Sequence, residues 1–141
     1  MFLLTYLISI LCLLLSILFY TDIRYRALSN KLVFLVSLVV LVLSWLLYQQ
    51  IFIFSALICL VIGFILFLFN IIGAGDVKLL SALMLMVPAD NAFPLLLLIS
   101  LWGLVVIVVG LIFSRQSMKQ RGVPYGVAIG LGFLTYLYFI L

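Results

Sequence analysis

Apolar residues fill this chain in blocks too long and too uniform for an amphipathic helix or an alternating strand. Reading between the polar interruptions predicts spans near 2–19, 32–48, 51–69, 71–87, 94–113 and 124–141. Runs of about 17–25 apolar residues cross a hydrocarbon layer of about 30 Å as helices. The second and third spans are separated only by Tyr48, Gln49 and Gln50. The expected fold is therefore all-α: a polytopic membrane protein, a bundle of six transmembrane helices in one domain over residues 1–141. No soluble domain, linker, clear repeat or low-complexity tract interrupts it.

Composition agrees with a bilayer setting, since 70% of the residues are hydrophobic and 7% charged, with a mean hydropathy of +1.62. The first block does not read as a cleavable secretory signal. It lacks a basic leader region, its apolar run is long, and Phe19-Tyr20-Thr21 is not a small-residue cleavage site. A true span with its N-terminus outside fits better.

The basic residues orient the spans, because Lys and Arg favour cytoplasmic ends. Arg24, Arg26 and Lys31 follow the first span, Lys78 follows the third, and Arg115, Lys119 and Arg121 follow the fifth. Gln49-Gln50 and the stretch from Pro88 to Pro94 carry no Lys or Arg and fall on the other side. Both termini are expected outside a plasma (inner) membrane. Orientation and contact with membrane lipids account for the net charge of +4 without a nucleic-acid partner.

Several chemistries are excluded at once. The chain has no histidine, so Ser-His and Cys-His nucleophiles are out. Cys12 and Cys59 lie within spans without the further nitrogen or sulfur donors that a zinc site requires, and they read as small buried apolar side chains. No metal and no cofactor are expected. A Ser-Lys pair has only Lys78 to draw on.

The acids carry the remaining chemistry. Only three are present, and Asp90 sits in an outer loop where turn chemistry explains it. Asp22 directly follows the first span, at the expected cytoplasmic edge, where pairing with Arg26 is the plainer alternative. Asp76 lies in Gly73-Ala74-Gly75-Asp76-Val77-Lys78 within an otherwise apolar stretch. If the fourth helix starts only after Asp76, residues 77–87 reach about 16 Å, roughly half the hydrocarbon layer. An ionisable group so placed marks function, the alternative being a helix N-cap. Gly73 and Gly75 permit positive φ and close backbone approach beside it. The orientation argument sets Asp22 and Asp76 on one leaflet. Two carboxyls brought close in low dielectric share one proton, so that one serves as base towards water and the other as acid.

These residues resemble the type IV prepilin peptidases, which group with the preflagellin peptidases among the GxGD aspartyl proteases. The resemblance spans nearly the whole chain in three ordered motifs: Asp22 with downstream Asn30, then Gly73-Ala74-Gly75-Asp76-Val77-Lys78-Leu79, then Pro124-Tyr125-Gly126. It implies a membrane aspartyl endopeptidase that removes the basic leader of type IV pilin-like precursors after a glycine at the cytoplasmic face. Asp22 and Asp76 then form the catalytic dyad, and the pilin-like precursors are the partners. Larger members carry a cytosolic insertion with paired CxxC motifs, associated with methylating the new N-terminus. This chain has none and is similar to the short, Tad-type or archaeal-style enzymes, so peptidase activity is expected without methyltransferase activity. Ser29 stands where many members have proline before Asn30.

Other polar residues have open roles. Lys78 tunes Asp76, engages substrate or simply anchors a helix end, and Asn30 caps the second helix or orders the catalytic loop. Pro124 suits the first turn of the last helix. Gly122, Gly126 and Gly130 recur every four residues there, with Ala128 and Gly132 as a second small pair, inviting close helix packing and a wall for the active site. Gly103 and Gly110 on the fifth span read as packing. A proton-coupled carrier would place its acids near the midplane, and a non-catalytic scaffold would tolerate replacing them; neither fits this pattern as well.

Overall fold

Helices account for 84% of the chain and strands for none in the computed structural model, which describes all residues from Met1 to Leu141. In order they are α1 (Phe2–Tyr25), α2 (Asn30–Tyr48), α3 (Ile53–Leu68), α4 (Ala74–Met84), α5 (Ala89–Phe113), α6 (Arg115–Arg121) and α7 (Tyr125–Ile140). The breaks follow local chemistry. Helix α1 stops where Arg26 turns left-handed at φ 52° and its N–H bonds to the Asp22 carbonyl; α2 stops likewise at Gln49, φ 54°. Asn70, at φ 58°, closes the turn after α3, in keeping with the tolerance of asparagine for this region.

This arrangement does not reproduce the expected six spans. Only α1, α2 and α5 are individually long and apolar enough to cross a membrane; α6 and α7 qualify together, as one span bent by 105°. Helix α3 has 16 residues and α4 has 11, lengths of about 24 Å and 16 Å. A hydropathy run records how apolar a stretch is, but not where its backbone leaves the helix. The run at 71–87 contains the Gly73 start of α4 and the tight turn in which Met86 and Val87 donate to the carbonyls of Leu83 and Met84. The protein is membrane-embedded, with large apolar side chains such as Phe54, Phe64 and Phe113 facing outward.

The interior is built from Leu11, Leu15 and Leu18 of α1, Val36, Val40 and Leu43 of α2, Leu79 and Leu83 of α4, and Phe133 of α7. Helix α7 packs on two sides. Gly132 approaches α5 so closely that a β-carbon there would stand 2.8 Å from Ile99 Cα, while Gly126 and Gly130 face Asp22 and Phe19 of α1. The expected glycine stripe is shorter than its spacing suggests: Gly122 lies outside α7, capping α6 at φ 81°. Pro124 precedes the first helical residue of α7.

Apart from Trp102 Nε1 of α5 donating to Thr135 Oγ1 of α7 at 2.8 Å, the side-chain polar contacts between segments gather at the two ends of the bundle. At one, the Ser44 hydroxyl donates to the Gln50 carbonyl at 2.6 Å with the Leu85 carbonyl as a second acceptor at 3.2 Å, and Asn91 Nδ2 donates to the Tyr136 hydroxyl at 3.1 Å. At the other, the end of α1 and the starts of α2 and α4 meet the end of α6 around a polar cleft.

Candidate active site

Asp22 belongs to the last turn of α1 rather than to the loop after it, since the helix continues to Tyr25. It is only 6% exposed. Asp76 stands in the first turn of α4, whose N-cap is Gly73; the N-cap alternative for Asp76 is thus excluded. Its half-buried carboxyl turns back towards the Gly73 N–H, as a third-position acid does in a capping box. Both aspartates line one cleft of about 380 Å³, together with Arg26, Ala27, Leu28 and Asn30 from the α1–α2 connection. Gly73, Ala74, Gly75 and Lys78 form the α4 wall, and Arg121 and Val123 the side towards α7.

The electrostatics of the cleft couple the two acids. Asp22 acts on Asp76 across the cleft, and Arg26 acts on Asp22. The N–H groups of Gly126 and Val127 at the start of α7 approach the Asp22 carboxyl; none reaches hydrogen-bond geometry with Oδ2, which is buried and without a partner. A buried carboxylate oxygen left unpaired is costly and therefore available to a proton or a reacting group.

Glycines serve space rather than unusual backbone angles here. Gly73 and Gly75 do not use the positive φ open to glycine, and it is close approach that the site draws on. A β-carbon on Gly75 would stand 3.0 Å from Leu28 Cβ, and one on Gly126 would stand 2.8 Å from Asp22 Oδ2 and 3.1 Å from Leu28 Cδ2. Leu28 is thus seated against both glycines and draws the three motif segments together.

Of the remaining expected site residues, Asn30 and Lys78 line the cleft and bond to each other, with Lys78 Nζ donating to Asn30 Oδ1 at 3.1 Å. Asn30 does not cap α2: it is the first helical residue, and Ser29 before it makes no side-chain cap bond. Pro124 and Tyr125 do not line the cleft, and Tyr125 is 46% exposed. Arg26 was read in sequence as an orientation anchor, yet its guanidinium is folded into the cleft. Its Nε and Nη1 are buried without partners, and Nη2 meets only the Met118 sulfur at 4.0 Å. The sequence offers Arg26 also as a partner for Asp22, but its burial in the cleft depends on the left-handed turn at Arg26, which the linear pattern does not announce. No cluster of three or more metal-ligating side chains forms.

Among known proteins, a family model described as the type IV leader peptidase family matches residues 9–108, from early in α1 to late in α5. No curated protein and no solved structure matches the chain.

Proposed function

The chain belongs to the type IV leader peptidase family and is thereby a protease, and from that premise we propose that it is an aspartyl endopeptidase using Asp22 and Asp76 as a dyad. The observation that carries the reading is the convergence of these acids, from α1 and α4, on one cleft with Arg26 and Lys78. Its substrates are type IV pilin-like precursors, cut between a short basic leader and the apolar helix that follows.

Two facing carboxyls in a poorly solvated cleft hold a single proton between them over a broad pH range. The ionised member takes a proton from water, whose oxygen attacks the scissile carbonyl carbon; the protonated member stabilises the developing oxyanion, and a proton then passes to the leaving amine. Gly75 and Gly126 let Leu28 and the Asp22 carboxyl seat against bare backbone, and an extended peptide reaches the acids through the polar cleft that both aspartates line.

Orientation by basic residues places the cleft at the cytoplasmic face of the plasma membrane, where the leader of a precursor joins its transmembrane segment. An active site at the edge of the bilayer reaches that junction without unwinding the substrate helix deeply.

The deciding experiment is cleavage of a co-reconstituted candidate prepilin by the wild type, Asp22→Asn and Asp76→Asn, with folding of each variant checked. Loss of cleavage in both folded variants is the expected result. Cleavage retained in either variant removes that aspartate from the mechanism and favours a non-catalytic role for the cleft.

A further inference from the structure

The two acid-bearing walls of the cleft are joined by a side-chain hydrogen bond. Lys78, two residues after Asp76 on α4, donates to Asn30, which opens α2 just beyond the turn leaving Asp22. No other side-chain hydrogen bond connects the start of α2 to the start of α4. Neither partner is engaged in the simpler roles open to it. The Lys78 ammonium turns to Asn30, while Asp76 has Asp22 as its charged neighbour. The Asn30 carboxamide oxygen faces across to α4 instead of capping its own helix.

The apolar face of α4 is held by Val77 against Gly63 of α3 and by buried Leu79 and Leu83, whereas its polar face at Asp76 and Lys78 borders the cleft. Leu28 against Gly75 sets how closely the α1–α2 turn and α4 approach, but an apolar contact resists sliding and rotation weakly because it has no preferred direction. A hydrogen bond is directional. Joining the start of α2 to the opening turns of α4, it directs how the polar face of α4 sits against the α1–α2 connection. Any shift of those turns moves the Asp76 carboxyl relative to Asp22, since Asp76 lies two residues before Lys78.

We propose that Lys78 and Asn30 work as one positioning pair, a clasp between α2 and α4 that sets the separation of Asp22 and Asp76; this rests on the aspartyl peptidase reading above. Neither residue exchanges a proton with substrate. Each acts through the other, so the loss of either is equivalent to the loss of both. Misplacing a catalytic group by about 1 Å costs up to about 100-fold in rate, whereas an exposed hydrogen bond contributes little to overall stability.

The test is a double-mutant cycle on prepilin cleavage with Lys78→Met, Asn30→Ala and the pair, accompanied by Lys78→Arg, pH profiles and hydrogen exchange. The expected result is a fall in kcat of about 10- to 100-fold in each single variant with KM unchanged, and no further loss in the double variant. Lys78→Arg retains most of the rate, the pH profiles keep their shape, and exchange rises at residues 27–31 in Lys78→Met and at 73–77 in Asn30→Ala. Additive losses, a pH shift confined to Lys78→Met, or a change in KM alone would overturn the clasp, since Lys78 would then act on Asp76 or on substrate by itself. Reciprocal exchange with full activity overturns the positioning role but leaves the peptidase intact. A wild type that cleaves no precursor, by contrast, removes the peptidase reading and the positioning role with it.

Discussion

Asp22 and Gly126 are in such close contact that a β-carbon on the glycine would lie 2.8 Å from the carboxyl Oδ2, with Leu28 Cδ2 a further 3.1 Å neighbour. The start of α7 is thus shaped around the acid on α1. Residues far apart in sequence meet because α7 packs against α1 through small side chains, which lets backbone N–H groups come near the carboxyl.

Gly126→Ala tests that fit directly. The added methyl displaces Asp22 or Leu28, and kcat for precursor cleavage is expected to fall by about 100-fold, with a stability loss of about 1–3 kcal/mol from overpacking. Gly103→Ala is the control: its β-carbon meets Ala128 at 3.9 Å, an ordinary contact, so activity should persist. Equal behaviour of the two variants would show that the Asp22 contact has no bearing on catalysis.

A shared proton predicts a bell-shaped pH dependence. Activity falls at low pH, where both carboxyls are protonated and no base remains, and at high pH, where both are ionised and no acid remains. Measuring kcat/KM for a prepilin across pH checks this; a profile with a single limb would mean that only one of the two acids must change state.

The basic residues predict sidedness. In a variant with Cys12→Ala and Cys59→Ala, a cysteine introduced at Ser29 or Ser114 is expected to react with an impermeant reagent from the cytoplasmic side, and one at Gln50 from the opposite side. Labelling of Ser29→Cys and Gln50→Cys from the same side would refute the orientation.

Ser44 predicts a structural effect without a catalytic one. It is fully buried, and its hydroxyl lies against the Gln50 and Leu85 carbonyls at the end of the bundle away from the cleft. Ser44→Ala removes the donor of the Gln50 carbonyl, while the Leu85 carbonyl keeps the Phe52 N–H, and should cost about 1 kcal/mol, seen as a lower Tm in detergent, while cleavage below the transition is retained.

Much of this protein was legible in its sequence because ionisable residues are conspicuous in so apolar a chain. The membrane setting and the helical class follow from where polar groups interrupt hydrophobic runs, and the same interruptions single out Asp22 and the Gly73–Lys78 stretch as candidates for the site. Family membership rests on the same linear pattern. The number of complete spans was not legible, since the sharp turns bounding α4 depend on backbone hydrogen bonds inside a continuous apolar run.

The layout of the cleft was decided only by tertiary structure. Helix α1 runs past Asp22 and buries it, the left-handed turn at Arg26 folds one guanidinium inward while Arg24 stays outside, and Tyr125 points away although it adjoins Gly126. Hydropathy acts residue by residue, so the sequence by itself determined which groups must be sheltered from lipid. Direction, contact and pairing arise between helices, so only their packing determined that Asp22 meets Gly126 and that Lys78 reaches Asn30.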